Sequence, residues 1–295
     1  MSRIADSPKS VPQSFAPRLV TTTRELRDAV GTARAAGCSI GLVPTMGALH
    51  EGHLSLVQAA RAECGFTVVT IFVNPTQFGP HEDFDKYPRT LENDLDVLAS
   101  CHADLVFAPD RADVYPAGCS TAVEPPLVAR RWEGECRPGH FRGVATVVLK
   151  LFNLAQADVA FFGQKDYQQT VVIRQMVRDL DVPIDVRVCP TVRESDGLAM
   201  SSRNRYLSVE QRVQAAAISR SLRLAAQIAA DGERQAATLV DAVRGVLAEA
   251  QIDRIDYVAL ADPETLEPVR ELSGPAVMLI AAHVGGTRLI DNGKI

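Results

Sequence analysis

His50 and His53 stand three residues apart in the run Pro44-Thr45-Met46-Gly47-Ala48-Leu49-His50-Glu51-Gly52-His53. A short apolar stretch at 39–43 ends at Pro44 and an amphipathic stretch begins near Gly52, so both histidines fall on a strand-to-helix turn. The first N–H groups of a helix have no partner within it and its dipole favours anions, which makes such a turn a natural phosphate site. Imidazoles add donors there in either charge state. Zinc is the weaker reading, because metalloproteases put H-E-x-x-H on one helical face, whereas here Gly52 separates histidines at i and i+3. A lone histidine is usually structural, but Gly47 and Gly52 would let a backbone approach a ligand closely.

Three further polar groupings follow apolar runs in the same manner. Asn74 and Gln77 come after 67–73, Gly163-Gln164-Lys165-Asp166 after 159–162, and Met200-Ser201-Ser202-Arg203 after 184–188. Strand ends of a parallel sheet lie along one edge, so all four groupings would face a single crevice. Lys165 and Arg203 would then join the histidines against phosphate. Neither G-x-x-x-x-G-K-[ST] nor G-x-G-x-x-G occurs, which sets aside P-loop ATPases and ordinary dinucleotide dehydrogenases. Arg130, Arg131, Arg137, His140 and Arg142 form a basic cluster in the proline-rich stretch 109–142. It reads either as a solvated face or as a lid over phosphates.

The elements that must position these groups are legible from periodicity. Thr22 with Glu25 makes a capping box opening a helix to about Gly37. Helical spacing recurs near 52–62, 91–100, 144–155 and 167–179, and strands are expected at 39–43, 67–73, 105–108, 159–162 and 184–188. Five strands alternating with helices predict an α/β class, a doubly wound parallel Rossmann-like sheet. Beyond Val192 the texture changes. Ser208 and Gln211 open an alanine-rich helix to about Ala230, a second helix covers 235–250, and strands are expected at 255–260, 277–283 and 287–290. We therefore expect a nucleotide- and substrate-binding domain over 1–191 and a smaller α+β C-terminal lid domain over 192–295.

Composition narrows the partners. The 295 residues are 46% hydrophobic, enough for a sizeable core. A net charge of −5 argues against a general nucleic-acid binder. The six cysteines include no C-x-x-C pair and fit reduced thiols in a cytoplasmic protein. Residues 1–17 lack the apolar centre of a signal peptide and read as a loose arm. No apolar run is long enough to span a membrane.

The histidine turn resembles the H-x-G-H signature of class I aminoacyl-tRNA synthetases and related nucleotidyltransferases. The longer string at 44–53 is similar to the pantothenate synthetase (pantoate–β-alanine ligase) family, as are Ile-Phe-Val-Asn-Pro-Thr-Gln-Phe at 71–78, Tyr-Pro-Arg-Thr at 87–90, Arg-Pro-Gly-His-Phe at 137–141, Phe-Phe-Gly-Gln-Lys-Asp-Tyr-Gln-Gln at 161–169 and Arg-Glu-Ser-Asp-Gly-Leu-Ala-Met-Ser-Ser-Arg-Asn at 193–204. The resemblance implies ATP-driven joining of pantoate and β-alanine through an acyl-adenylate, with magnesium carried mainly by the phosphates. By it, Met46, Gly47, Ala48, Leu49, His50, Glu51, Gly52, His53, Gly163, Gln164, Lys165, Asp166, Val192, Met200, Ser201, Ser202 and Arg203 would line an ATP site. Gln77 and Gln169 would hold pantoate, Gln77 would also lie near β-alanine, and Asn74 and Arg137 would join the substrate pocket. His53 would be the catalytic histidine, aided by His50, Lys165 and Arg203. Asp94 is the candidate magnesium ligand, and a homodimer is implied. Gln164 stands where the family commonly has Glu, Thr76 where Met is frequent, and Asn93 where a second acid can occur. Two other readings stay open: a nucleotidyltransferase of the same fold acting on a different acceptor, and a nucleotide-binding regulatory module without catalysis.

Overall fold

Alternating burial on two faces dictates the first sheet. In the strand Phe66–Ile71, Val68 and Val69 point to opposite sides, and neither is exposed. A strand covered on both faces belongs in a parallel sheet flanked by helices, and each such side chain contributes roughly 1.5–3 kcal/mol by leaving water. The structure is a computed structural model describing residues 16–80 and 82–295. The expected N-terminal arm lies almost wholly outside the described residues.

In chain order the first part comprises β1 (Arg18–Val20), α1 (Thr23–Ala35), β2 (Ile40–Thr45), α2 (Glu51–Glu63), β3 (Phe66–Ile71), α3 (Leu91–Ser100) and β4 (Leu105–Phe107). The short helices α4 (Arg111–Val114) and α5 (Glu133–Cys136) precede α6 (His140–Ala155), β5 (Val159–Gly163), α7 (Tyr167–Asp179) and β6 (Asp185–Cys189). All pairings are parallel, in the order β1-β4-β3-β2-β5-β6. One core packs α1, α6 and α7 on one face, and another packs α2 and α3 on the opposite face. From β2 the chain first fills one side of the sheet and later crosses to the other, so the order reverses between β2 and β5. Ligands of such sheets bind beyond the strand ends at that reversal.

Six strands stand where five were expected. The additional one, β1, has only three residues, two of them exposed, and pairs at the edge with β4. The stretch 109–142 is also more ordered than its prolines imply. Gln168 of α7 is buried, with its amide donating to the carbonyls of Val128 and Arg131 and its Oε1 accepting from the Glu133 N–H.

The second part has its own core and sheet. α8 (Val209–Ala230) opens with the Ser208–Gln211 capping box, α9 (Ala236–Glu249) packs on it, and β7 (Ile255–Ala261), β8 (Val277–Val284) and β9 (Thr287–Lys294) form an antiparallel sheet. β9 runs past the expected end at Ile290, because each residue to Lys294 pairs with β8. Among the described residues no helix is long and apolar enough to cross a membrane.

Helix α6 lies so close to the turn after β3 that a Cβ on Gly143 would fall 2.4 Å from the Thr76 carbonyl oxygen and 2.6 Å from the Gln77 nitrogen. The Asn74 amide donates to the Gly143 carbonyl across the same contact. Substituting Gly143→Ala must push the Asn74–Gln77 turn away from the helix. We expect a loss of about 1–3 kcal/mol, as for overpacked cores, read as a lower urea midpoint at unchanged slope.

Candidate active site

The turn after β2 is held from below by a carboxylate. Asp94, in the first turn of α3, has no exposed surface, and its two oxygens accept from the N–H groups of Ala48 (2.9 Å) and Leu49 (2.8 Å). Gly47 and Ala48 are both left-handed, at φ +82° and +51°. Such backbone is costly for alanine and persists only where surroundings over-determine it. Asp94 supplies that constraint.

Its role corrects the expectation of a magnesium ligand, since both oxygens are engaged with backbone and Asp94 stays outside the lining of the main cavity. Among the described residues no group of three or more His, Cys, Asp or Glu side chains is arranged to hold a metal ion. The acids nearest the site are paired with Arg137, Arg203 and Lys165. This donor set does not fit a magnesium site built by the protein.

The histidines complete the turn. His50 caps α2, its Nδ1 accepting from the Gly52 N–H, and the His53 Nδ1 accepts from the His50 N–H. The rings lie 4.1 Å apart. With both Nδ1 atoms as acceptors, each neutral ring carries its proton on Nε2, which is then the donor left for a ligand. Gly52 serves this arrangement rather than a ligand's approach, since a Cβ there would sit 2.9 Å from the His50 ring. Burial pushes His50 down to about 4, helped by Lys165, and pushes His53 down to about 3, helped by His50 and Lys165. Both are neutral at physiological pH.

A cavity of about 230 Å³ opens above this turn at the sheet reversal. From the histidine turn it is lined by Met46, His50, Gly52 and His53; from beyond β5 by Gly163, Lys165, Asp166 and Gln169. Val192, Met200, Ser201, Ser202 and Arg203 close it from the segment after β6, and Asn74, Gln77 and Arg137 from the other side. The four polar groupings therefore do meet. Gly47, Ala48, Leu49, Glu51 and Gln164 do not line the cavity. The first three form the buried base of the turn, and Glu51 is exposed at the start of α2. Gln164 faces Asn292 of β9, whose amide donates to the carbonyls of Gln164 and Lys165 and so fixes the lysine turn.

Donor chemistry divides the cavity into two regions. Towards the histidines lie Lys165 and Arg203, the latter gripped by Asp83 at 2.9 and 2.7 Å. Towards α6 lie amides and a second arginine. Gln77 accepts from Asn74 and donates to the Met46 sulfur, while the Gln169 side chain has no hydrogen-bond partner among the described residues. Arg137 is gripped by Glu82, 2.7 Å at both contacts.

The family model described as Pantoate-beta-alanine ligase matches residues 18–294. The chain belongs to this family. A pantothenate synthetase of Acidobacterium capsulatum is 58% identical over 254 residues, covering 86% of this chain and 85% of that protein. The crystal structure of pantothenate synthetase from Thermus thermophilus superposes with a TM-score of 0.89 at 46% identity, covering 94% of this chain and 98% of the other. A pantoate-β-alanine ligase from Francisella tularensis, solved as a complex with β,γ-ATP and β-alanine, gives 0.77 at 34% identity, covering 94% and 97%.

Among the lining residues to which sequence reasoning gives no role, His140 and Tyr87 make specific contacts with the polar groups. His140, seen in the sequence as a member of the basic cluster and of the 137–141 string but given no role, lines the cavity wall. Its Nδ1 donates to the Gln77 carbonyl and its Nε2 accepts from Arg137, at 2.9 and 3.2 Å. Burial and Arg137 push it down to about 4, so it is neutral and ties the glutamine to the arginine. Tyr87, within the Tyr-Pro-Arg-Thr string, is buried beneath the Arg203 guanidinium, 5.9 Å from ring centre to Cζ.

Two outcomes test this geometry. Replacing Asp94→Asn puts an amide N–H against a backbone N–H, and we expect a loss of about 1.5–3 kcal/mol in urea denaturation together with reduced turnover. His50, His53 and His140 bind protons in the unfolded chain near pH 6.5 but resist them when folded until about 4, 3 and 4. Their contribution to stability is full above pH 6.5 and is lost as pH falls towards those values. The melting temperature should drop across that window, and His140→Gln should make the drop shallower.

Proposed function

We propose that this chain condenses pantoate with β-alanine at the expense of ATP, releasing AMP and pyrophosphate through a pantoyl-adenylate. The observation that carries the reading is one cavity in which two neutral histidines, Lys165 and Arg203 face two glutamines and Arg137. One half suits a triphosphate and the other a small hydroxy acid. In the first step a carboxylate oxygen of pantoate attacks the α-phosphorus, and the bond to the β-phosphate oxygen breaks to release pyrophosphate. In the second, the neutral amine of β-alanine attacks the activated carbonyl, the bond to the AMP oxygen breaks, and one proton is released as the amide forms.

The first step brings an anion onto a polyanion, so catalysis is mainly positioning and charge stabilisation. Neutral Nε2–H groups of His50 and His53 donate to phosphate oxygens without leaving an unpaired buried charge in the free site. His53 is the catalytic histidine of this reading, and Lys165 and Arg203 balance the charge that moves to the leaving pyrophosphate. Gln77 and Gln169 both donate and accept, so they read hydroxyl and carboxylate together and reject analogues lacking either. Magnesium enters on the nucleotide's phosphates rather than at a protein site. Residues 192–295 act as the cover that keeps water from the adenylate.

Incubation with ATP, magnesium, pantoate and β-alanine should yield AMP and pantothenate in equal amounts, and pantoate alone should support exchange of labelled pyrophosphate into ATP. His53→Ala should lower both by on the order of 10²–10³, as for loss of one transition-state donor, with the circular dichroism spectrum unchanged. Pantothenate formed without pyrophosphate exchange would reject the adenylate, and absence of pantothenate would reject the ligase.

A further inference from the structure

Glu82 and Asp83 are neighbours in the chain, yet each grips a different arginine brought from far away. The Arg137 Nε and Nη2 donate to the two Glu82 oxygens, 2.7 Å each, and the Arg203 Nε and Nη2 donate to the two Asp83 oxygens at 2.9 and 2.7 Å. Both pairs are bidentate along the same guanidinium edge, the geometry with which arginine also recognises a free carboxylate or phosphate. Both arginines line the cavity and are mostly buried, with side-chain exposures of 16% and 30%. A ligand anion and a loop acid cannot occupy one edge together.

We propose that Glu82 and Asp83 are internal stand-ins for the substrate anions, setting ligand affinity by occupying the two arginines until substrates displace them. This rests on the ligase reading above. Asp83 holds the place of a nucleotide phosphate on Arg203, and Glu82 that of the small acid's carboxylate on Arg137. Two buried guanidinium groups without partners would be costly, so the stand-ins let the empty cavity keep its cationic wall in position. The loop carrying them is anchored lightly. The Glu82 N–H donates to the Gly79 carbonyl and the Lys86 N–H to the Asp83 carbonyl, Phe84 packs its ring on Phe78 at 5.3 Å, and the Tyr206 hydroxyl donates to the Lys86 carbonyl. Exchange therefore exposes no part of the main cores.

Each acid competes with its own anion, so removing one negative charge should favour only that ligand. In Asp83→Asn, the nonhydrolysable α,β-methylene ATP should bind about fivefold more tightly, the range of a partly exposed ion pair, with pantoate affinity changed less than about twofold. Glu82→Gln should tighten pantoate by a similar factor and leave the nucleotide analogue unchanged. In an Arg203→Gln background the Asp83→Asn gain should vanish. Titration calorimetry reads all three, and Asp83→Ser repeats the first should the asparagine variant fold poorly. Weaker or unchanged analogue binding in the Asp83 variants would overturn the proposal, since the acid would then be orienting Arg203 for its ligand. So would a gain that persists without Arg203. A wild-type chain that makes pantothenate while its Asp83 variants fail to bind more tightly sinks this inference alone.

Discussion

The site depends on a buried carboxylate beneath a strained turn. Asp94 belongs to a helix that follows β3 and leads into β4, yet both of its oxygens are committed to the N–H groups of Ala48 and Leu49. Those two donors belong to a turn forced left-handed at consecutive residues, Gly47 and Ala48, which no local preference of alanine would maintain. Once the turn is fixed, the next residue is His50, whose ring caps α2, and one helical turn later His53 receives the His50 N–H. The position of both imidazoles follows from one carboxylate that lies 46 residues beyond Ala48 in the chain.

Neutrality of the histidines is the second half of that design. A cation pair at the mouth of α2 would attract phosphate more strongly, but Lys165 already stands there, and burial beside it disfavours further positive charge. The protein instead concentrates charge on groups that can be neutralised in place: Lys165 beside Asp166, Arg203 on Asp83 and Arg137 on Glu82. The wall facing a ligand thus combines fixed neutral donors with cations already paired.

Local signals in the sequence carry most of the framework. The boxes at Thr22 and Ser208 form as their spacing implies, because both partners lie within one helical turn. Helices 91–100 and 167–179 fall on their expected limits. Strand β1 leaves no such trace, because three residues with two exposed show no period to detect, and only its pairing with β4 makes it a strand. Convergence of the polar groupings is legible because a parallel sheet sends all its strand ends one way. What is not legible is whatever depends on long-range contact. The resemblance marks Asp94 as a ligand but cannot show that its oxygens are turned to the Ala48 and Leu49 N–H groups, and Gly52 reads as room for a substrate when its neighbour's ring needs the space. His140 stands in a recognisable string, yet nothing in that string shows that its ring ties the Gln77 carbonyl to Arg137.

The C-terminal part meets the first through a small apolar cluster, in which Ala261, Leu266, Val277 and Leu279 pack with Val128, Trp132, Tyr167 and Val171, and through polar contacts around the cavity. Glu133, almost fully buried, accepts two bonds from Arg288 and one from the Tyr257 hydroxyl, Arg193 grips Asp291, and Asn292 holds the Lys165 turn. Arg137 also approaches Glu133 at 3.7 Å, so the carboxylate that receives the second part lies one arginine away from the cavity. Directional bonds of this kind have few acceptable geometries, and the close-packed apolar cluster beside them transmits strain as well. A displacement of β9 would disturb the backbone behind Lys165 and the partner of Glu133 together. The polar contacts thus link the C-terminal part to both regions of the cavity, directly at the Lys165 turn and through Glu133 at Arg137.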